Sequence, residues 1–84
     1  MISVKSKDNL IGYAVSPRIE LVGNTCCVVE GLKGIAAYSS DKIKVNLGNY
    51  YLTFFGDSLF INAFSYEGAI IEGTIVSMEF ESNG

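Results

Sequence analysis

Residues 42–81 read KIKVNLGNYYLTFFGDSLFINAFSYEGAIIEGTIVSMEFE, and this stretch decides the fold. Ile43, Val45 and Leu47 alternate with Lys42, Lys44 and Asn46. Gly48-Asn49 interrupts, and Tyr50 to Phe55 follows. Gly56-Asp57-Ser58 interrupts again, before Leu59 to Phe64 and then Ser65-Tyr66-Glu67-Gly68. Ala69 to Glu72 and Thr74 to Phe80 complete the series around Gly73. Apolar residues at period two, bounded by Gly, Asn, Asp and Ser, predict β-strands joined by tight turns.

Upstream the pattern continues. Arg18 to Val22 alternates, Gly23-Asn24 marks a turn, and Thr25 to Glu30 forms a second strand. Cys26 and Val28 fall on one face of it, with Cys27 and Val29 on the other, so both faces expect cover. Gly31-Leu32-Lys33-Gly34 breaks the strand, Ile35 to Tyr38 forms a third, and Ser39-Ser40-Asp41 turns. Residues 1–16 read either as an extended arm or as a short helix capped by Asp8 or Asn9; Pro17 stops any such helix. The reading is all-β: one small antiparallel meander or sandwich of about seven short strands over 17–81. A short β-solenoid is the alternative, and it is weakened because no motif recurs at constant period. The C-terminal Ser82-Asn83-Gly84 is expected to fray.

Eighty-four residues make a single domain. Apolar residues are 49% of the chain, more than one small core readily holds. The net charge is −3, and the cations Lys5, Lys7, Arg18, Lys33, Lys42 and Lys44 are scattered. A phosphate backbone demands clustered cations, so nucleic-acid binding is not expected. No run is long enough for a transmembrane helix, and residues 1–5 lack a signal-peptide core, so a soluble, cytoplasmic protein is expected.

Chemistry-bearing constellations are absent from the sequence. There is no His to serve a Ser, Cys or Thr nucleophile as base. Adjacent Cys26 and Cys27 match neither disulfide geometry nor zinc-ligand spacing and read as small apolar strand residues. Glu30, Glu67, Glu72, Glu79 and Glu81 fall at strand ends or on solvent faces. The glycines are spaced as turn residues, not as a phosphate loop. The expectation is a protein without catalysis, metal or cofactor.

The strands with large side chains on both faces carry a different signal. Tyr50, Leu52 and Phe54 lie opposite Tyr51, Thr53 and Phe55; Leu59, Ile61 and Ala63 lie opposite Phe60, Asn62 and Phe64. Each large side chain left in water forgoes about 1.5–3 kcal/mol of burial. A homo-oligomer is therefore expected, with Tyr50, Tyr51, Phe54, Phe55, Phe60 and Phe64 as interface candidates. Phe60 and Phe64 are preferred, because Leu59 and Ile61 have ordinary core character. A β module that binds a small molecule or peptide around these rings is the alternative.

The run Pro17-Arg18-Ile19-Glu20-Leu21-Val22-Gly23-Asn24 resembles the opening of the YabP/YqfC sporulation proteins. Val29-Glu30, Lys33-Gly34-Ile35, Tyr38-Ser39, Ile43-Lys44-Val45, Leu52, Gly56-Asp57-Ser58-Leu59-Phe60-Ile61 and Glu72-Gly73-Thr74-Ile75 to Phe80 continue the likeness. It is closer to the YqfC branch, through residues 17–24 and 33–35. Gly31 departs from the pattern, where the family would carry a polar residue such as Asn. The resemblance implies a protein of endospore-forming bacteria that acts in the mother cell, at the forespore surface, beside other sporulation proteins including membrane-associated ones. It implies no catalytic residues.

Overall fold

A computed structural model describes residues 17–65 and 67–83. The helix-or-arm alternative for residues 1–16 lies outside the described residues. Six strands form one open antiparallel sheet: β1 Arg18–Val22, β2 Cys26–Glu30, β3 Gly34–Ser39, β4 Lys42–Asn46, β5 Tyr50–Ser65 and β6 Gly68–Ser82. Their order is β1-β2-β6-β5-β4-β3. Strands β3 to β6 form the expected meander, and β6 then returns to pair with β2. The structure is all-β, as the alternation requires.

Two junctions differ from the sequence expectation. Gly56-Asp57-Ser58 and Gly73 do not end strands; each bends a strand that continues, giving β5 its 16 residues and β6 its 15. Register shifts between Phe55 and Gly56 and between Asp57 and Phe60 mark the bend in β5. These β-bulges turn the strand without stopping its pairing. The first half of β5 pairs with the last half of β6, beside β4 and β3. The last half of β5 pairs with the first half of β6, beside β2 and β1. The sheet thus folds over at the bends into two layers.

Glycine is demanded at both bends. A Cβ on Gly56 would run into the Thr74 carbonyl oxygen. A Cβ on Gly73 would lie 2.5 Å from the Ser58 carbonyl oxygen, and Gly73 has φ of +124°. Each strand therefore crosses the other at backbone contact, a distance only glycine permits.

The two hairpins dock onto these bends in matching ways. The β3–β4 turn accepts Gly56 N–H at Asp41 O (3.1 Å) and Leu59 N–H at Ser40 O (2.7 Å). The β1–β2 turn accepts Gly73 N–H at Thr25 O (3.2 Å) and Ile75 N–H at Asn24 O (2.7 Å). The sheet arrangement therefore has an approximate internal two-fold, with β1-β2-β6 matching β3-β4-β5, although the connectivity of the two halves differs.

Between the layers lies the core of Cys27, Val29, Ile43, Val45, Leu47, Leu52, Phe54, Leu59, Ile71 and Ile75. Ile19, Leu32, Ile35, Tyr50, Ile61 and Met78 pack against it. The C-terminal end is tied rather than frayed at Asn83, whose N–H donates to Asn49 O (3.1 Å) and whose Nδ2 donates to Gly48 O (2.8 Å).

Candidate functional site

Cross-strand partners in an antiparallel pair share a face, so the register fixes what each layer shows to solvent. In the layer of β1, β2, β6 and β5, three rows cross the outer face. Arg18, Glu30, Gly68 and Ser65 form the first; Glu20, Val28, Ile70 and Ala63 the second; Val22, Cys26, Glu72 and Phe60 the third. Val28, Ile70 and Ala63 with Val22, Cys26 and Phe60 make a continuous apolar surface. Val22, Phe60 and Ala63 are exposed, and Cys26, Val28 and Ile70 are half-buried. Carboxylates border it, and Glu72 interrupts its third row between Cys26 and Phe60. Arg18 holds Glu20 at 3.4 Å and Glu30 at 3.5 Å, and Asn62 Nδ2 donates to Glu72 Oε2 at 3.1 Å.

The outer face of the other layer is different. Lys42, Phe55 and Ser77 share one row, Ala37, Lys44, Thr53 and Glu79 the next, and Gly34, Asn46, Tyr51 and Glu81 the third. Lys44 Nζ lies 3.1 Å from Glu81 Oε1 and 4.5 Å from the Tyr51 ring centre. Thr53 points outward yet is buried, between the long side chains of Lys44 and Glu79 along its row. Strand β4 is paired on both sides, so its lysines occupy a solvated inner-strand face and not a sheet edge.

The six interface candidates divide. Phe54 is fully buried and belongs to the core, which removes it as an interface residue. Tyr50 faces inward, packs against the core, and meets Phe80 with ring centres 5.6 Å apart. Tyr51 and Phe55 are half-buried on the lysine-bearing face. Phe60 is 43% exposed at the end of the apolar surface, and Phe64 is 59% exposed. Phe60 and Phe64 do not share a face, however. A register shift between Ile61 and Ala63 pairs Phe64 with Ala69, the inward side, while Phe60 pairs with Glu72, the outward side. The sequence gives no warning of this bulge, and counting by twos through Asn62 places Phe64 wrongly. Counting on β2 alone does point to the apolar surface, because Val28 and Cys26 lie opposite Val29 and Cys27.

Burial pushes the Cys27 thiol up to about 11, with neighbouring Cys26 adding to the rise and a backbone hydrogen bond at Glu20 opposing it. A thiol so protonated is a poor nucleophile. Among the described residues no cluster of three His, Cys, Asp or Glu side chains is placed to hold a metal ion. A shallow groove of about 220 Å³ at the β5–β6 turn is lined by Val29, Glu30, Phe64, Glu67, Ala69 and Ile70, among others. It is smaller than the ~300 Å³ at which small-molecule sites begin. No described helix is long and apolar enough to cross a membrane.

The YabP family model matches residues 14–84. No curated protein and no solved structure matches the chain.

Proposed function

The chain belongs to the YabP family of sporulation-related proteins, and from that membership we propose that it acts in the mother cell of an endospore-forming bacterium, without catalysis, by β-mediated assembly. Its runs 17–24 and 33–35 favour the YqfC branch. The observation that carries the reading is the apolar outer surface of Val22, Cys26, Val28, Ala63, Ile70 and Phe60, which among the described residues is exposed at Val22, Ala63 and Phe60 and half-buried at the other three. A contiguous apolar surface rimmed by polar groups is the usual mark of a protein contact. The assembly joins copies of the chain and other sporulation proteins at the forespore surface.

Phe60→Asp tests this. Its ring is exposed, so the substitution should keep the β-type circular dichroism spectrum while sedimentation shifts toward monomer and spore yield falls. A wild-type protein that stays monomeric at high micromolar concentration, in a strain whose spore yield ignores the substitution, refutes the reading.

A further inference from the structure

Besides its faces, the folded-over sheet presents edges. The second half of β5 has two of its outward amides engaged: Leu59 N–H donates to Ser40 O at 2.7 Å, and Ile61 N–H donates to the Tyr38 hydroxyl at 3.0 Å. Among the described residues, strands β1 and β3 end the sheet, each paired on one side only. An unpaired edge is a template for another strand.

The two end strands complement each other. β1 carries Glu20 on its outer face and Leu21 on its inner face, with Leu21 and Val22 half-exposed. β3 has no charged side chain; its exposed large residue is Tyr38, facing inward, and Ala37 and Ser39 face outward. The β-bulge at Ala36 sets that alternation, since the register shifts between Ile35 and Ala37. Beside β3, Lys42 shares the row of Ser39, and Ser39 Oγ donates to Asp41 Oδ1 at 2.7 Å.

We propose that copies of this chain join head to tail, β1 of one pairing antiparallel with β3 of the next, so that the sheet continues from copy to copy. The proposal rests on the assembly reading above and adds an edge contact to the one on the apolar outer face. One register satisfies both faces. It sets Glu20 opposite Ser39, Leu21 opposite Tyr38 and Val22 opposite Ala37. Leu21 then covers the Tyr38 ring, and Val22 covers Ala37. Glu20 reaches Lys42 across the small Ser39, strands being about 4.8 Å apart. Arg18, two residues before Glu20, arrives beside Asp41. Two competing pairings oppose like charges. Two β1 strands centred on Glu20 set carboxylate against carboxylate. The free side of the last half of β6 shows Glu79 and Glu81 on its outer face. A contact between two different surfaces repeats from copy to copy, so its products are a series of sizes or a ring and do not stop at a symmetric dimer.

Sedimentation velocity of the full chain tests this with Glu20→Lys and Lys42→Glu, both at exposed positions. The wild type should give a concentration-dependent series. Each variant alone should associate several-fold more weakly, with an unchanged circular dichroism spectrum. Their equimolar mixture should regain the wild-type distribution, because each lysine then meets a glutamate. If the wild type associates but Lys42→Glu behaves identically, the head-to-tail contact is refuted while assembly stands. If Lys42→Glu is silent and Glu20→Lys alone changes association, the contact is between two β1 edges and the proposal fails. If the wild type is monomeric, the assembly reading falls with it.

Discussion

Strands β3 and β4, with the first half of β5 and last half of β6, make one layer; β1 and β2, with the opposite halves, make the other. Inside, the layers are alike. Each sends short alternating strands into a shared core, and each docks its hairpin turn on a glycine bend. Outside, they diverge. The β3–β4 layer shows Lys42, Lys44, Glu79 and Glu81 around Tyr51 and Phe55, a mixed-charge face in which Lys44 pairs with Glu81. The β1–β2 layer shows Val28, Ile70, Ala63 and Phe60 rimmed by carboxylates. Folding constrains the inner faces equally. The asymmetry outside is not needed for folding, which is why function is sought there.

The comparison breaks first at the bends. Gly56→Ala and Gly73→Ala should each cost more than about 3 kcal/mol, through backbone collision and, at Gly73, a φ that L-residues avoid. For a domain this small that amounts to unfolding. Gly34→Ala has open space and is the control, expected to change stability by less than about 0.5 kcal/mol. Thermal melts that leave either bend variant native-like would show that the layers do not depend on the crossing.

Those same glycines explain what the sequence conceals. Alternation over Ile43–Val45, Leu52–Phe54 and Cys27–Val29 locates strands and their inner faces, because period two is a local property. Gly56 and Gly73 read locally as strand ends, and only their close contacts with backbone distant in sequence, Gly56 with Thr74 and Gly73 with Ser58, make them bends. The β2–β6 pairing is equally non-local. The bulge at Asn62 leaves no compositional trace, so Phe64 is misassigned to the face of Phe60. One part of the candidate surface, Cys26 and Val28, is legible. Its continuation over Ile70 and Ala63 depends on that distant pairing.

The next contrast is between rings. Phe54→Ala should cost about 3–5 kcal/mol, since it empties a fully buried site between the layers. Phe64→Ala, at a ring 59% exposed, should cost less than about 1 kcal/mol. Chemical denaturation of the two variants decides it. Equal losses would mean that Phe64 is as much core as Phe54.

The inner and outer faces of β2 differ by one residue, Cys27 against Cys26, and pH separates them. Folded Cys27 holds its proton to about 11, against an ordinary 9.0. Below pH 9 both states are protonated and the contribution is intact. Above it the unfolded thiol ionises first, so unfolding is favoured progressively until the folded pKa is passed. The loss is about 2–3 kcal/mol at most. Lysines and tyrosines titrate in the same window, so the measurement is the difference in denaturation free energy between wild type and Cys27→Ala from pH 8 to 11. The wild type should lose ground as pH rises. A constant difference would mean that Cys27 ionises as readily folded as unfolded.

The smallest effect concerns the mixed-charge face. Lys44 binds Glu81 at 3.1 Å and lies over the Tyr51 ring at 4.5 Å, but Glu81 is largely exposed. Solvent and salt screen such a pair, and its measured worth is typically about 0.2–1 kcal/mol. The cation–π contact adds a similar amount at an exposed site. Lys44→Met keeps most of the stem that covers Thr53 and removes only the charge. Its expected cost is below about 2 kcal/mol, shrinking further in 1 M salt. Association should be unaffected, because the lysine of the proposed contact is Lys42, in the neighbouring row. A Lys44→Met protein that folds normally but no longer associates would place the contact on the outer face around Lys44 and Tyr51 instead of at the β3 edge, and would reverse the contrast between the two faces.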